Sequence, residues 1–273
     1  MSSASTAFAR ARSEDRAALV GYLPAGFPDV EGSIAALTVM VEAGCDVIEI
    51  GLPYSDPVMD GPTIQAAAQQ ALDAGVRTTD VLRVVEAVAA TGTPTLVMTY
   101  WNPVERYGVE RFAQHLADAG GAGLITPDLT PDFAPEWIAA ADQRDLDKVF
   151  LVAPSSTDER IAMTTAASRG FVYATGIMGV TGTKQATAAG VAPLIARTKA
   201  LSPVGSDLPV GVGVGVSSGA QAAALAPRNG IGADGVIVGS ALVRTLLDHP
   251  GDRRAGLAAL AALTEELAGG VRA

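Results

Sequence analysis

The chain has 273 residues, 49% of them hydrophobic, and its 19 basic and 29 acidic side chains give a net charge of −10. The length suits an α/β barrel, at about 250 residues, and the apolar content suits a large core. The acidity makes nucleic acid and anionic membranes poor partners, and no apolar run is long enough to span a bilayer.

The start, MSSASTAFARARSEDR, lacks a signal-peptide core. It reads as a short ragged arm over residues 1–14, ahead of one domain over 15–273. From there, strand-like runs alternate with helical patterns. Ala18 to Leu23 is the first strand, and Ser33 to Ala43 is a helix with apolar Ile34, Leu37 and Val41. Val47 to Ile50 is the second strand, and helices follow over Thr63 to Ala74 and Thr79 to Ala90. Pro94 to Tyr100 is the third strand, Val109 to Ala119 a helix, Gly123 to Thr126 the fourth strand and Ala134 to Ala141 a helix. Val149 to Val152 is the fifth strand, Asp158 to Ser168 a helix and Phe171 to Ala174 the sixth strand. A Gly/Thr loop runs from Thr175 to about Ala189, then a helix from Val191 to Ala200. Pro209 to Val216 is the seventh strand, Ser218 to Leu225 a helix and Gly235 to Val238 the eighth strand. Helices over Ala241 to Leu247 and Gly256 to Leu267 finish the chain. Such alternation means a parallel sheet, and about eight units predict a closed (β/α)8 barrel with its site at the C-terminal strand ends. A doubly wound open sheet is the other fold of this pattern. Cys45, the one cysteine, excludes an internal disulfide and points to a cytoplasmic protein.

The chemistry-bearing groups lie at strand ends. Glu49 sits inside the β-branched run of Val47, Ile48 and Ile50, where an ionised carboxylate is costly unless it is paired or its pKa moves. It is either the partner of an interior cation or a general acid/base at the mouth of the sheet. Asp60, on the next loop, is a second carboxylate that could face the same cavity or cap a turn. Tyr22, Tyr100 and Tyr173 end their strands, and with Asp56, Asn102 and Asp128 they converge on one rim. Aromatic rings beside two carboxylates suit a flat, partly apolar substrate that needs proton transfers. Gly213, Gly215, Gly239 and Ser240 precede or open helices, where backbone amides can hold an anion such as a phosphate. The same glycines could instead only relieve crowding. The loop Gly176 to Lys184 is a candidate lid. Lys148, Lys184 and Lys199 avoid the C-terminal strand ends, which disfavours Schiff-base chemistry, and two histidines, His115 and His249, make a His-rich metal site a poor expectation.

Several stretches resemble the tryptophan synthase α subunit: Cys45 to Gln65, TyrTrpAsn at 100–102, ProAspLeu at 127–129, GlyValThrGly at 179–182, GlyValGlyValSer at 213–217 and GlyValIleValGlySer at 235–240. The resemblance implies a (β/α)8 barrel that cleaves indole-3-glycerol phosphate to indole and glyceraldehyde 3-phosphate in tryptophan biosynthesis. It implies Glu49 and Asp60 as the catalytic pair. Tyr22, Tyr100, Tyr173, Thr181, Gly182, Gly213, Gly215, Gly239 and Ser240 would hold substrate, with Thr181 able to hold Asp60 on closure. Asp56, Asn102 and Asp128 would belong to the partner and lid face. It further implies no metal and no cofactor in this chain, and a PLP-dependent β subunit as partner in an α2β2 assembly. Three alternatives are a lyase that works without a β subunit, another phosphate-binding barrel such as a sugar-phosphate isomerase, and a catalytically silent module that only activates a partner. Two positions depart from the family pattern, Ile177 in the lid and Phe27 after the first strand.

Overall fold

The computed structural model describes residues 3–176, 188–204, 207–226 and 232–273. Nine β segments form one all-parallel sheet in the order β5-β4-β3-β2-β1-β9-β8-β7-β6. They are β1 (Ala18–Pro24), β2 (Val47–Gly51), β3 (Thr95–Met98), β4 (Gly123–Ile125), β5 (Asp147–Val149), β6 (Leu151–Val152), β7 (Val172–Thr175), β8 (Val210–Gly213) and β9 (Gly235–Val238). The two ends of the order, β5 and β6, are halves of one strand on either side of Phe150. The lower half pairs with β4 and the upper half with β7, and the Phe150 carbonyl accepts from Tyr173 N–H at 3.1 Å. The sheet therefore closes as an eight-stranded barrel, as the strand–helix alternation predicts, and the open-sheet reading is set aside.

Side-chain alternation sorts each strand into an inward and an outward set. Leu19, Ile48, Ile50, Val97 and Leu124 face the surrounding helices in the larger core. Val20, Val47, Leu96, Ile125, Val149, Phe171 and Ile237 fill the barrel's interior. Glu49 lies two residues beyond Val47, and Tyr22 two beyond Val20, so both point inward at the upper end.

The segment read as a ragged arm is instead a helix, α1 (Ala4–Ser13), and that expectation is corrected. Its apolar face, Ala4, Ala7, Phe8 and Ala11, plugs the lower mouth, and Phe8 stacks on Phe171 with centroids 5.1 Å apart. Ser3 caps it and donates to Asp147 Oδ1 at 2.8 Å, and Ala4 N–H donates to Asp147 Oδ2 at 2.8 Å. At its other end, Arg10 and the buried Arg16 bind the buried Asp46, with Arg16 Nη1 at 2.7 Å. Arginine, alanine and acidic residues alternating around one phenylalanine look like solvated chain, because the surface they cover comes from strands far along the sequence.

The outer helices used below are α2 (Val30–Glu42), α3 (Pro62–Asp73), α4 (Thr78–Ala89), α5 (Trp101–Tyr107), α6 (Val109–Asp118), α7 (Pro135–Asp142), α8 (Asp158–Ala167), α9 (Ala188–Leu201), α10 (Gly219–Leu225), α11 (Ser240–Leu247) and α12 (Arg253–Val271). Helix α5 is an element the pattern did not predict: the third strand stops at Met98, and Tyr100 is the N-cap of this short helix.

Phe8→Ala should destabilise the protein by about 3–5 kcal/mol through the cavity it leaves. Urea unfolding should show a lower midpoint at an unchanged slope.

Candidate active site

Five of the expected residues meet at the upper end of the barrel. Glu49 is 0% exposed, and neither carboxylate oxygen has a hydrogen-bond partner among the described residues. Burial alone pushes its pKa up to about 8. No described cation bonds to it, so among the described residues nothing supports the interior-cation reading. Asp60 is also pushed up by burial, against which a hydrogen bond from the Tyr100 hydroxyl favours the charged form. The same hydroxyl accepts from Met59 N–H at 2.9 Å, so Tyr100 grips the loop on both sides of the carboxylate. Burial pushes Tyr100 up to about 12, helped by the charge of Asp60.

Tyr22 pairs in register with Glu49 on the neighbouring strand. Its pKa is raised by burial, then by the charges of Asp60 and Glu49. Tyr173 is raised by burial, then by Glu49 and Asp60. Both phenols thus sense both carboxylates and stay protonated. Each ring leans over a glycine: a Cβ on Gly51 would run into the Tyr22 hydroxyl, and a Cβ on Gly213 into that of Tyr173. Gly213 was read as either an anion cradle or a relief of crowding; the ring fixes the second role at its Cβ position. Gly51 escaped the sequence reading, although its i+2 spacing from Glu49 places it on the same inward face.

Gly239 and Ser240 stand at the start of α11, and the Tyr22 ring lies 3.2 Å from where a Cβ of Gly239 would be. Among the described residues no side chain caps that end, which suits its first amides to an anion. Gly215 lies in an exposed turn at φ +73°, beyond β8. Ser218, not Ser217, caps α10. Asp56, Asn102 and Asp128 are exposed. Asp128 accepts the Trp101 N–H at 3.0 Å and so caps the start of α5. Thr181, Gly182 and Ile177 lie outside the described residues, as does the expected lid beyond Gly176. Phe27 is buried in the outer core. Among the described residues no cluster of His, Cys, Asp and Glu has metal-holding geometry, and no helix is long and apolar enough to cross a membrane.

A (β/α)8 barrel with an unpaired buried glutamate, a second carboxylate and an open helix start around one mouth defines a barrel enzyme of acid/base chemistry on a small anionic substrate. The family model for the tryptophan synthase alpha chain matches residues 8–272. The alpha chain of Salinispora arenicola is 61% identical over 272 residues, covering 100% of this chain and 98% of that one. That of Nocardia farcinica is 58% identical over 265 residues, covering 97% and 94%. A structure of Mycobacterium tuberculosis tryptophan synthase superposes with a TM-score of 0.87 at 55% identity, covering 99% of this chain and 98% of that chain. Tryptophan synthase subunit alpha from Legionella pneumophila superposes equally well, TM-score 0.87, at 28% identity, covering 99% of each chain. The chain belongs to the tryptophan synthase alpha chain family, lyases of tryptophan biosynthesis that cleave indole-3-glycerol phosphate.

A carboxyl held at about 8 when folded, against 4.5 as a free side chain, binds a proton that the unfolded chain releases between those values. The stability that Glu49 lends is therefore full below pH 4.5 and lost as pH rises through 8. Glu49→Gln, which mimics the protonated form, should be increasingly more stable than the parent as pH goes from 5 to 9, read as the difference in their thermal midpoints. A constant difference across that range would contradict the raised pKa.

Proposed function

We propose that Glu49 and Asp60 perform the cleavage as an acid/base pair. The observation that carries this reading is the buried Glu49 with no hydrogen-bond partner among the described residues, its pKa pushed up by that burial. Protonated Glu49 delivers its proton to the ring carbon that bears the glycerol chain. The positive charge this creates spreads to the ring N–H, where the Asp60 carboxylate, steadied by Tyr100, stabilises it. Glu49, now ionised, takes the proton of the glycerol hydroxyl on the carbon next to the ring. The carbon–carbon bond breaks, its electron pair returns to the ring, and indole and glyceraldehyde 3-phosphate leave. One proton has moved from hydroxyl to ring carbon, and Glu49 is protonated again.

The phosphate end of the substrate suits the amides of Gly239 and Ser240 at the start of α11, with Gly213 and Gly215 beside them. The rings of Tyr22 and Tyr173 suit the walls of the indole pocket. Thr181 and Gly182, outside the described residues, are part of this proposal as substrate-holding residues, with Thr181 also able to hold Asp60 on closure.

A PLP-dependent β subunit that receives the indole, in an α2β2 assembly in the cytoplasm, fits the upper rim. The loops after β2 and β4 each expose one large apolar side chain there, Val58 at 73% and Phe133 at 74%. Asp56, Asn102 and Asp128 are exposed in the segments that follow β2, β3 and β4, three neighbouring strands. Exposed apolar anchors within a polar rim are the make-up of a partner surface.

Glu49→Gln should lower indole release by about 10²–10⁴-fold with the fold intact, and Asp60→Asn should be severely impaired. Turnover of Glu49→Gln within about threefold of the parent would end this assignment. Phe133→Ser should keep basal cleavage and lose most of the stimulation by a β subunit, measured as indole formation with and without saturating partner. A parent that shows no stimulation acts alone.

A further inference from the structure

Helix α11 carries a second feature one turn beyond its open start. Arg244 is an exposed residue, yet its Nη2 donates to Thr63 Oγ1 at 2.6 Å across 181 positions of sequence. Thr63 is 8% exposed and stands in the first turn of α3, three residues after Asp60. That turn is stiff: Gln65 Nε2 donates to the Asp60 carbonyl at 2.7 Å, and Gln65 N–H to the Gly61 carbonyl at 2.9 Å. A pull on Thr63 is therefore a pull on Asp60. Helix α11 follows β9 and α3 follows β2, with β1 between those strands in the sheet, so the bond spans the rim above β1. Helix stability does not explain the contact. A guanidinium beside the start of α3 opposes that helix's dipole, and Gly61, its N-cap, offers no side chain in compensation.

We propose that Arg244 is a positioning residue for the cleavage: bonded to Thr63, it ties the phosphate-binding end of α11 to the turn that carries Asp60, so that an occupied phosphate site fixes Asp60 opposite the indole N–H. The inference rests on the active-site reading given above. Asp60 is then held from two sides. Tyr100 grips its carboxylate from the β3 side, and Arg244 fixes its turn from the β9 side. Because linkage is reciprocal, indole in its pocket must tighten phosphate by the same factor that phosphate tightens indole.

The test measures calorimetric binding of indole, with and without saturating inorganic phosphate, to the parent, Arg244→Ala, Thr63→Val and the double variant. In the parent, phosphate should tighten indole about fivefold or more. Each single variant should reduce that factor to below about twofold, and the double variant should lose no more than either alone. Thermal midpoints should stay near the parent's. For cleavage of the full substrate, Arg244→Ala should lower kcat about tenfold with a smaller change in KM, since the transition-state contact of Asp60 is what is lost. An undiminished factor in either single variant overturns the proposal. So do losses that add in the double variant, which would mean that Arg244 acts on phosphate by charge alone, and so does a parent that binds both ligands independently. If Gly239→Val leaves phosphate affinity unchanged, the phosphate end itself is misassigned and the proposal falls with that reading.

Discussion

A carboxylate buried without a partner is the constraint around which the barrel is arranged. Glu49 sits fully enclosed, and neither oxygen has a hydrogen-bond partner among the described residues. Such a group is costly to ionise, and burial raises its pKa accordingly. Two other buried carboxylates show what the alternatives look like in the same chain. Burial raises Asp46, but hydrogen bonds from Arg16 and Leu19 N–H outweigh it and pull the group down. Burial also raises Asp147, only partly offset by the Ala4 amide and Ser3. Both of those have partners supplied by the chain and lie at the lower mouth. Among the described buried carboxylates Glu49 alone has no hydrogen-bond partner, and it lies at the upper one.

That division follows the barrel's polarity. Conformational strength is concentrated below, where α1 seals the interior and buried ion pairs and cap bonds fix its two ends. Reactivity is concentrated above, where inward positions give way from branched aliphatics to tyrosine, glutamate and glycine. The tyrosines need the glycines. Tyr22 is level with Glu49 and Tyr173 with Gly211, and each ring leans along the barrel to lie over the glycine two residues further up the neighbouring strand. A side chain at Gly51 or Gly213 would displace a ring that lines the mouth.

The alternation of strands and helices was legible because each strand is a short branched run and each outer helix an amphipathic one. Glu49 was legible for the same reason: a charge inside such a run stands out. The helix Ala4–Ser13 was hidden because its stabilising contacts, Phe171 and Asp147, are supplied by residues more than a hundred positions away. The grip of Tyr100 on the Asp60 loop was hidden likewise, since it depends on how two loops from different strands approach. Gly213 carried two readings in the sequence. Only the position of the Tyr173 ring shows that its missing side chain makes room for a neighbour.

The lower mouth also governs where other molecules can be attached. Ser3 is held at Asp147, and the Val271 carbonyl accepts from Ala17 N–H at 3.3 Å, just below the start of β1. Both ends of the described chain therefore leave from the face opposite Glu49. A tag, a surface tether or a fused protein joined at either end would hang beneath the barrel. An immobilised form would present its open mouth to solution, with access for substrate and for a docking protein preserved whichever end is anchored.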